Sequence, residues 1–229
     1  MQKTPAAVES LDHMQIVHAV LLEPVGCLAE FPAREFDEIA ARLFHEASVH
    51  SSGSEAFWGM LNLLETSGKS LEPSQQKLAE ELEVQAVDQV EIYEDVVPAL
   101  SELKGMNIQM FLASSLSAAA VSRFLERFPV REFFSAIWDR GSAGGVKAVP
   151  LAKAMQTASL QPQHVIALAD TMEGLAVARD LGANSILMIN DYEQGRRLAL
   201  YAPSGGIVSL KELPDAIRLV AESAKATRS

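Results

Sequence analysis

The sequence predicts an α/β protein, a parallel sheet covered by helices on both faces with a small helical cap inserted after the first strand. Three observations lead there. From about residue 91 onward, short apolar runs alternate with amphipathic stretches. A long stretch of helical period interrupts that series directly after its first strand. The 229 residues are 48% hydrophobic, enough for one sizeable core and a smaller accessory unit.

The first thirteen residues are polar and without a period, and are expected to form a loose tail, with order beginning near Met14. Gln15 to Leu22, QIVHAVLL, reads as a buried strand that runs into the sharp loop Glu23-Pro24-Val25-Gly26, so Glu23 stands at its carboxyl end. Between Phe31 and Val90 the apolar residues fall three and four apart, as in Phe36, Ile39, Ala40, Leu43 and Phe44, then Phe57, Met60, Leu61 and Leu64. Helices therefore dominate there, with Trp58, Phe57 and Met60 read as their core. Turn-rich Ser51 to Ser54 and Ser67 to Ser70 break the pattern, and Ser54 or Ser74 is placed to cap a following helix.

After Tyr93 the expected order is a helix over Val96 to Lys104, the strand IQMFLASS and a helix over Ala118 to Arg127. The strand SAIW, a helix near Leu151 to Ala158, the strand VIALAD, a helix over Gly174 to Leu181 and the strand NSILMI follow. The division this gives is a tail at 1–13, a core at 14–27 plus 97–229, and a helical cap at 28–96.

Composition excludes several classes of function. A formal net charge of −11 with no basic, aromatic-interleaved stripe argues against nucleic acid, while small anionic ligands need only local positive charge and oriented N–H groups. No run approaches the roughly 18 apolar residues of a membrane helix, and the N-terminus has no leader pattern, so no membrane association and a soluble chain are expected. Cys27 is the only cysteine, which rules out an intramolecular disulfide and a cysteine-based zinc site and suits a reducing cytoplasm. The five histidines are scattered without ligand spacing, and no internal repeat is present.

In open parallel sheets ligands bind beyond the carboxyl ends of the strands, near the topological switch point. That rule selects Glu23 to Cys27, Ser114-Ser115, the loop Gly144-Gly145-Val146-Lys147, and Asp170 to Glu173. These four places, in this order and with a helical insertion after the first, resemble the haloacid dehalogenase-like superfamily, in particular its phosphoglycolate phosphatase and β-phosphoglucomutase branch. The resemblance runs from Met14 to nearly the end of the chain. It implies a Rossmann-like parallel core with an inserted helical cap.

In that family the first strand ends in an Asp-x-Asp-Gly-Thr-Leu type motif. Here AVLLEPVGCL puts Glu23 at the first Asp, Val25 at the second and Cys27 at the Thr. The second motif is matched by Ser114 in LASS, the third by Lys147 in GGVKAVP, and the fourth by Asp170 in ALADTMEG, with Ala169 where this branch often has Glu.

By resemblance, Ser114 and Lys147 bind phosphoryl oxygens, Glu23 holds the nucleophile position, and Glu23 with Asp170 binds magnesium at a weakened site. The family's aspartate attacks phosphorus while the acid two positions later protonates the leaving oxygen. Glu23 is one methylene too long, a misplacement of roughly 1 Å that can cost about a hundredfold. Val25 transfers no proton, a loss of about a hundred- to ten-thousandfold. The resemblance thus implies a phosphatase fold with lost or much reduced phosphohydrolase activity, retaining a site for phosphate or a small phosphorylated metabolite in a regulatory role.

Each residue also has a plainer reading. Glu23 suits a solvated strand-end carboxylate, Ser114 a strand-ending hydrogen bond, Lys147 a surface lysine and Asp170 a helix N-cap. Cys27 reads as a small buried hydrophobe. GSAGGVKA does not make a P-loop, because Gly and Lys are not adjacent and no Ser or Thr follows. Two further functions stay open: a magnesium-dependent phosphomonoesterase with an atypical Glu23, and a non-catalytic interaction protein. Neither substrate identity nor oligomeric state is legible.

Overall fold

The structure is a computed structural model that describes residues 17–66 and 71–226. The expected tail at 1–13, Met14, the first two residues of the first predicted strand and the turn at 67–70 lie outside the described residues.

The chain opens with β1 (Ala19–Leu22), passes a tight turn at Pro24–Leu28 and forms β2 (Ala29–Glu30). Three helices follow, α1 (Ala33–Phe44), α2 (Gly53–Thr66) and α3 (Pro73–Asp88), before β3 (Glu91–Ile92) returns antiparallel to β2. Next come α4 (Val96–Gly105), β4 (Gln109–Ala113), α5 (Ala118–Arg127), β5 (Ala136–Trp138), the short α6 (Arg140–Ala143) and α7 (Ala148–Thr157). The chain then runs through β6 (Val165–Ala169), α8 (Met172–Asp180), β7 (Asn184–Met188), α9 (Tyr192–Leu198), β8 (Gly205–Ile207) and α10 (Leu213–Ala226).

Six strands form one parallel sheet in the order β5-β4-β1-β6-β7-β8. This is the expected α/β fold, with β1, β4, β6 and β7 as neighbours and the three helices outside the sheet. The all-apolar AVLL of β1 suits a central strand buried on both faces. Val20 and Leu22 join the core toward α4, α5 and α10, while Ala19 and Leu21 join a second cluster with Ala154 and Met155 of α7. From β1 the chain proceeds to one side of the sheet, and from β6 to the other. The switch point therefore falls between β1 and β6, beside Glu23 and Asp170.

The inserted helices share the larger core. Phe36, Ile39, Phe57, Met60 and Leu82 pack with Leu28 and Phe31, and Phe31 stacks on Phe124 of α5 at 6.3 Å between ring centroids. Burying rings on both sides of the β2–β3 connection holds the insertion against the sheet's carboxyl edge.

Several element limits differ from expectation for local reasons. Strand pairing starts at Ala19; His18 still donates its N–H to His164 O at 2.8 Å but is exposed and lies before the paired register. Helix α7 begins earlier than Leu151, because Pro150 sits in its first turn, where a missing N–H loses no helical bond. Neither Ser54 nor Ser74 is a cap. Ser54 lies inside α2, and α3 is capped by Glu72 in a reciprocal box with Gln75.

The C-terminal α9, β8 and α10 carried readable signals that the sequence reading did not use. Asp191 caps α9 by accepting from Gln194 N–H, and Leu213, Ile217, Val220 and Ala221 give α10 a helical apolar face. No helix among the described residues is long and apolar enough to cross a membrane.

Candidate functional site

The loop after β1 turns sharply at Val25 (φ −70°, ψ 119°) and Gly26 (φ 74°, ψ −18°), the dihedrals of a type II turn, whose third residue needs positive φ. Gly26 is required twice over. A Cβ there would overlap the Asp170 carboxylate and Ser54 Oγ, so the loop lies directly against the strand end of β6. Gly26→Ala is expected to lose on the order of 2–3 kcal/mol, from left-handed strain and overpacking together, in reversible denaturant unfolding.

Glu23 leaves β1 in extended conformation and is partly buried. Its carboxylate does not stand free. Ser114 Oγ donates to Oε1 at 2.5 Å, and Ser115 N–H donates to Oε2 at 2.9 Å. Burial pushes Glu23 up to about 8; the hydrogen bonds from Ser114 and from the Ser115 and Val25 N–H groups oppose this, and the Asp170 charge adds a little to it.

Both serines are fixed from behind. Ser114, fully buried, donates its N–H to Trp138 O at 2.9 Å, and its Oγ accepts the Leu116 N–H at 3.1 Å. Ser115 Oγ accepts the Lys147 N–H at 2.7 Å, and Ser115 O accepts from Arg140 at 3.1 Å. Ser114 thus does end a strand, and it also gives its hydroxyl to Glu23 at the cleft.

Asp170 follows β6 but does not cap the next helix. Thr171 takes that role, accepting the Gly174 N–H at 3.2 Å, which leaves the Asp170 side chain to the cleft. Ser54 of α2 donates to Asp170 Oδ2, and Asn190 Nδ2 approaches the same oxygen at 3.4 Å while donating to Gly26 O at 2.9 Å. Burial raises Asp170 to about 6 against the Ser54 bond. Cys27 is buried, its thiol set 3.4 Å from Leu168 O and pushed well up by burial, so it is no thiolate nucleophile.

Lys147 is not a surface lysine, since its side chain is only 14% exposed. Its backbone sits at φ 58°, ψ −109°, a strained conformation for a residue with a Cβ, held by the bond to Ser115 Oγ. Its ammonium does not reach toward Glu23. It donates to Asn62 Oδ1 at 2.5 Å and Glu65 Oε2 at 2.6 Å, both on α2.

Glu23, Lys147 and Asp170 line one cavity with Val25, Trp58 and Ala169, while Ser114 closes it from behind through Glu23. Among the described residues no cluster of three or more His, Cys, Asp or Glu side chains is placed to hold a metal, so Glu23 and Asp170 are the carboxylates a cation would have to use.

The sequence reading missed Ser54, Asn62 and Glu65, and it took Trp58 for core alone, although the ring also lines the cavity. Ser54, Trp58, Asn62 and Glu65 are spaced four, four and three apart, one stripe of α2 turned to the cleft.

A family model described as haloacid dehalogenase-like hydrolase matches residues 38–188, more than half of the chain. No curated protein sequence matches. Among solved structures, β-phosphoglucomutase from Clostridium difficile superposes with a TM-score of 0.66 at 17% identity, covering 92% of this chain and 99% of the other. A protein described as a predicted phosphoglycolate phosphatase from Haemophilus somnus gives 0.64 at 12% identity, covering 88% and 98%. The L-2-haloacid dehalogenase from Xanthobacter autotrophicus gives 0.58 at 16%, also covering 88% and 98%. Phosphoryl and haloacid chemistry thus share this architecture, and at such identities the likeness establishes the fold and no reaction.

Proposed function

The chain belongs to the haloacid dehalogenase-like hydrolases, and from that membership we propose that it is a phosphatase-fold protein with lost or strongly reduced phosphohydrolase activity. Its cleft is kept for a small phosphorylated ligand in a regulatory role. The observation that carries this reading is the engagement of Glu23 by Ser114 and Ser115, with apolar Val25 in the place of a proton donor.

Phosphoryl transfer through a carboxylate needs an oxygen lone pair free to attack and an acid to protonate the departing oxygen. Here both oxygens of Glu23 accept hydrogen bonds, and burial disfavours the charged form of its carboxyl, so no oxygen lone pair stands free to attack. Val25 supplies no proton. The groups that would hold phosphoryl oxygens are the Ser114 hydroxyl, the Ser115 N–H and Lys147, whose ammonium is committed to α2.

Magnesium, which the family implies, does not fit this arrangement. Both Glu23 oxygens and one Asp170 oxygen face hydrogen-bond donors, which a divalent cation would have to displace. The same reading takes residues 28–96 as the cap and 14–27 with 97–229 as the core. The net charge of −11 disfavours nucleic acid, and the lone Cys27 suits a reducing, cytoplasmic setting.

The test is a phosphomonoester panel at saturating magnesium, with Asp170→Ala as control. The parent is expected to show no turnover above that control. Glu23→Asp or Val25→Asp alone should help little, because the two carboxylates act as one unit. The combined variant with Ala169→Glu is expected to hydrolyse a generic phosphomonoester at least about tenfold faster than the parent. A parent with brisk turnover that disappears in Glu23→Ala would replace this reading with an adapted enzyme.

A further inference from the structure

We propose that Glu23 is the resident occupant of the protein's own oxyanion cradle, an autoinhibitory carboxylate that keeps small oxyanions out of the cleft until it is withdrawn. The inference deepens the reading above and rests on it for the identity of the cleft. The cradle consists of the Ser114 hydroxyl and the Ser115 N–H, which converge on the two oxygens of one carboxylate at 2.5 and 2.9 Å. That is the two-point grip by which a protein holds an oxyanion, and here its ligand is covalently part of the chain.

Three features make the cradle a built site. First, its donors are positioned independently of Glu23. Ser114 is held by Trp138 O and the Leu116 N–H, and Ser115 by the Lys147 N–H and the Arg140 guanidinium, so truncating Glu23 leaves the donors aimed. Second, the donors are buried, Ser114 completely and Ser115 to 3% exposure, so without an acceptor they would be unsatisfied. Third, the Glu23 side chain lines the cavity and occupies both donors, so a phosphate can use them only once that side chain is displaced. Withdrawing the carboxylate would enlarge the cavity and free both donors together.

Lys147 extends the same logic. Its ammonium lies on the cavity wall but is neutralised by Glu65 and Asn62 of the inserted helix. Each half of the anion site is therefore satisfied internally, the donors by Glu23 and the cation by α2. An oxyanion entering the cradle competes with Glu23 for Ser114 and Ser115 and then offers Lys147 a second partner.

The test measures binding of inorganic phosphate, by calorimetry and by phosphorus NMR line broadening, to the parent, Glu23→Ala, Glu23→Gln and the double variant Glu23→Ala/Ser114→Ala. Glu23→Ala is expected to bind phosphate at least about tenfold more tightly than the parent. Glu23→Gln, which still fills the cradle, should behave as the parent, and Ser114→Ala should abolish the gain. Glu23→Ser opens the same space with a polar side chain and serves if Glu23→Ala does not fold. A parent that binds phosphate as tightly as the opened variants, or opened and folded variants that bind no better than the parent, overturns the proposal. A parent that hydrolyses phosphomonoesters overturns the functional reading. One that does not hydrolyse them yet binds phosphate as well as Glu23→Ala overturns the autoinhibitory contact alone.

Discussion

Glu83→Ala is expected to destabilise the protein by about 3–5 kcal/mol, because it breaks a buried ion pair from one side only. Glu83 belongs to α3 in the inserted unit and is fully buried. Its carboxylate accepts from Arg140 at 2.6 and 3.4 Å and from the Ser117 N–H, at the N-cap of α5, at 2.9 Å. Truncation leaves a mostly buried guanidinium without its counter-ion and a buried N–H without an acceptor. Glu83→Gln keeps an acceptor for Ser117 and loses only the charge, so its loss is expected to be smaller.

Arg140 also donates to Ser115 O, so the pair joins the inserted helices to the peptide that grips Glu23. Guanidinium denaturation should show a lowered midpoint for Glu83→Ala. The double variant with Arg140→Ala should be far less damaged than the sum of the singles, since the unpaired charge disappears with it. A Glu83→Ala loss under about 1 kcal/mol would mean that water replaces the carboxylate without penalty, against the burial on which the expectation rests.

The parallel core was legible because it is written locally. AVLL, QMFLA and VIALA are apolar runs of strand length, and the residues closing them fall at one edge by topology alone. That is why Glu23, Ser114 and Asp170 could be placed together from order and spacing. Their partners were not legible in the same way. The meeting of Ser54 with Asp170 spans 116 residues, and that of Glu83 with Arg140 spans 57. Both depend on how the insertion docks, which no local period reveals.

The stripe Ser54, Trp58, Asn62 and Glu65 was readable as a face of α2, but its side of the helix became a cleft wall only once α2 met the sheet. The extra methylene of Glu23 predicted a misplaced carboxylate. It did not tell that the carboxylate would find two donors, because that needs the positions of Ser114 and Ser115 relative to the turn at Gly26.

The same burial sets an expected pH dependence of stability. Glu23 ionises at its ordinary value of 4.5 when unfolded and at about 8 when folded, because the cleft disfavours its charge. Between those values the folded chain holds a proton that the unfolded chain has released. The stabilisation is complete below about 4.5, is lost as pH rises through the folded value, and is exhausted above about 8. Asp170 adds a loss of the same sign between its ordinary value of 3.8 and about 6.

In buffer with chelator, the parent's unfolding free energy should therefore fall from pH 5 to 8.5. Glu23→Gln should depart from it. The amide is a near isostere of the protonated acid, able to accept the Ser115 N–H while donating to Ser114 Oγ, and it has no proton to lose. Above pH 6.5, where Asp170 is largely ionised, the variant should flatten while the parent keeps falling, the two separating by a few kcal/mol at pH 8.5. Groups remote from the cleft titrate alike in both proteins, and Asp170 is coupled to Glu23 only weakly, so the difference between the two curves above pH 6.5 reports chiefly on Glu23. Curves that run parallel from pH 6.5 to 8.5 would show that Glu23 ionises in the folded cleft as readily as in water, and that its carboxylate reaches solvent by turning away from Ser114.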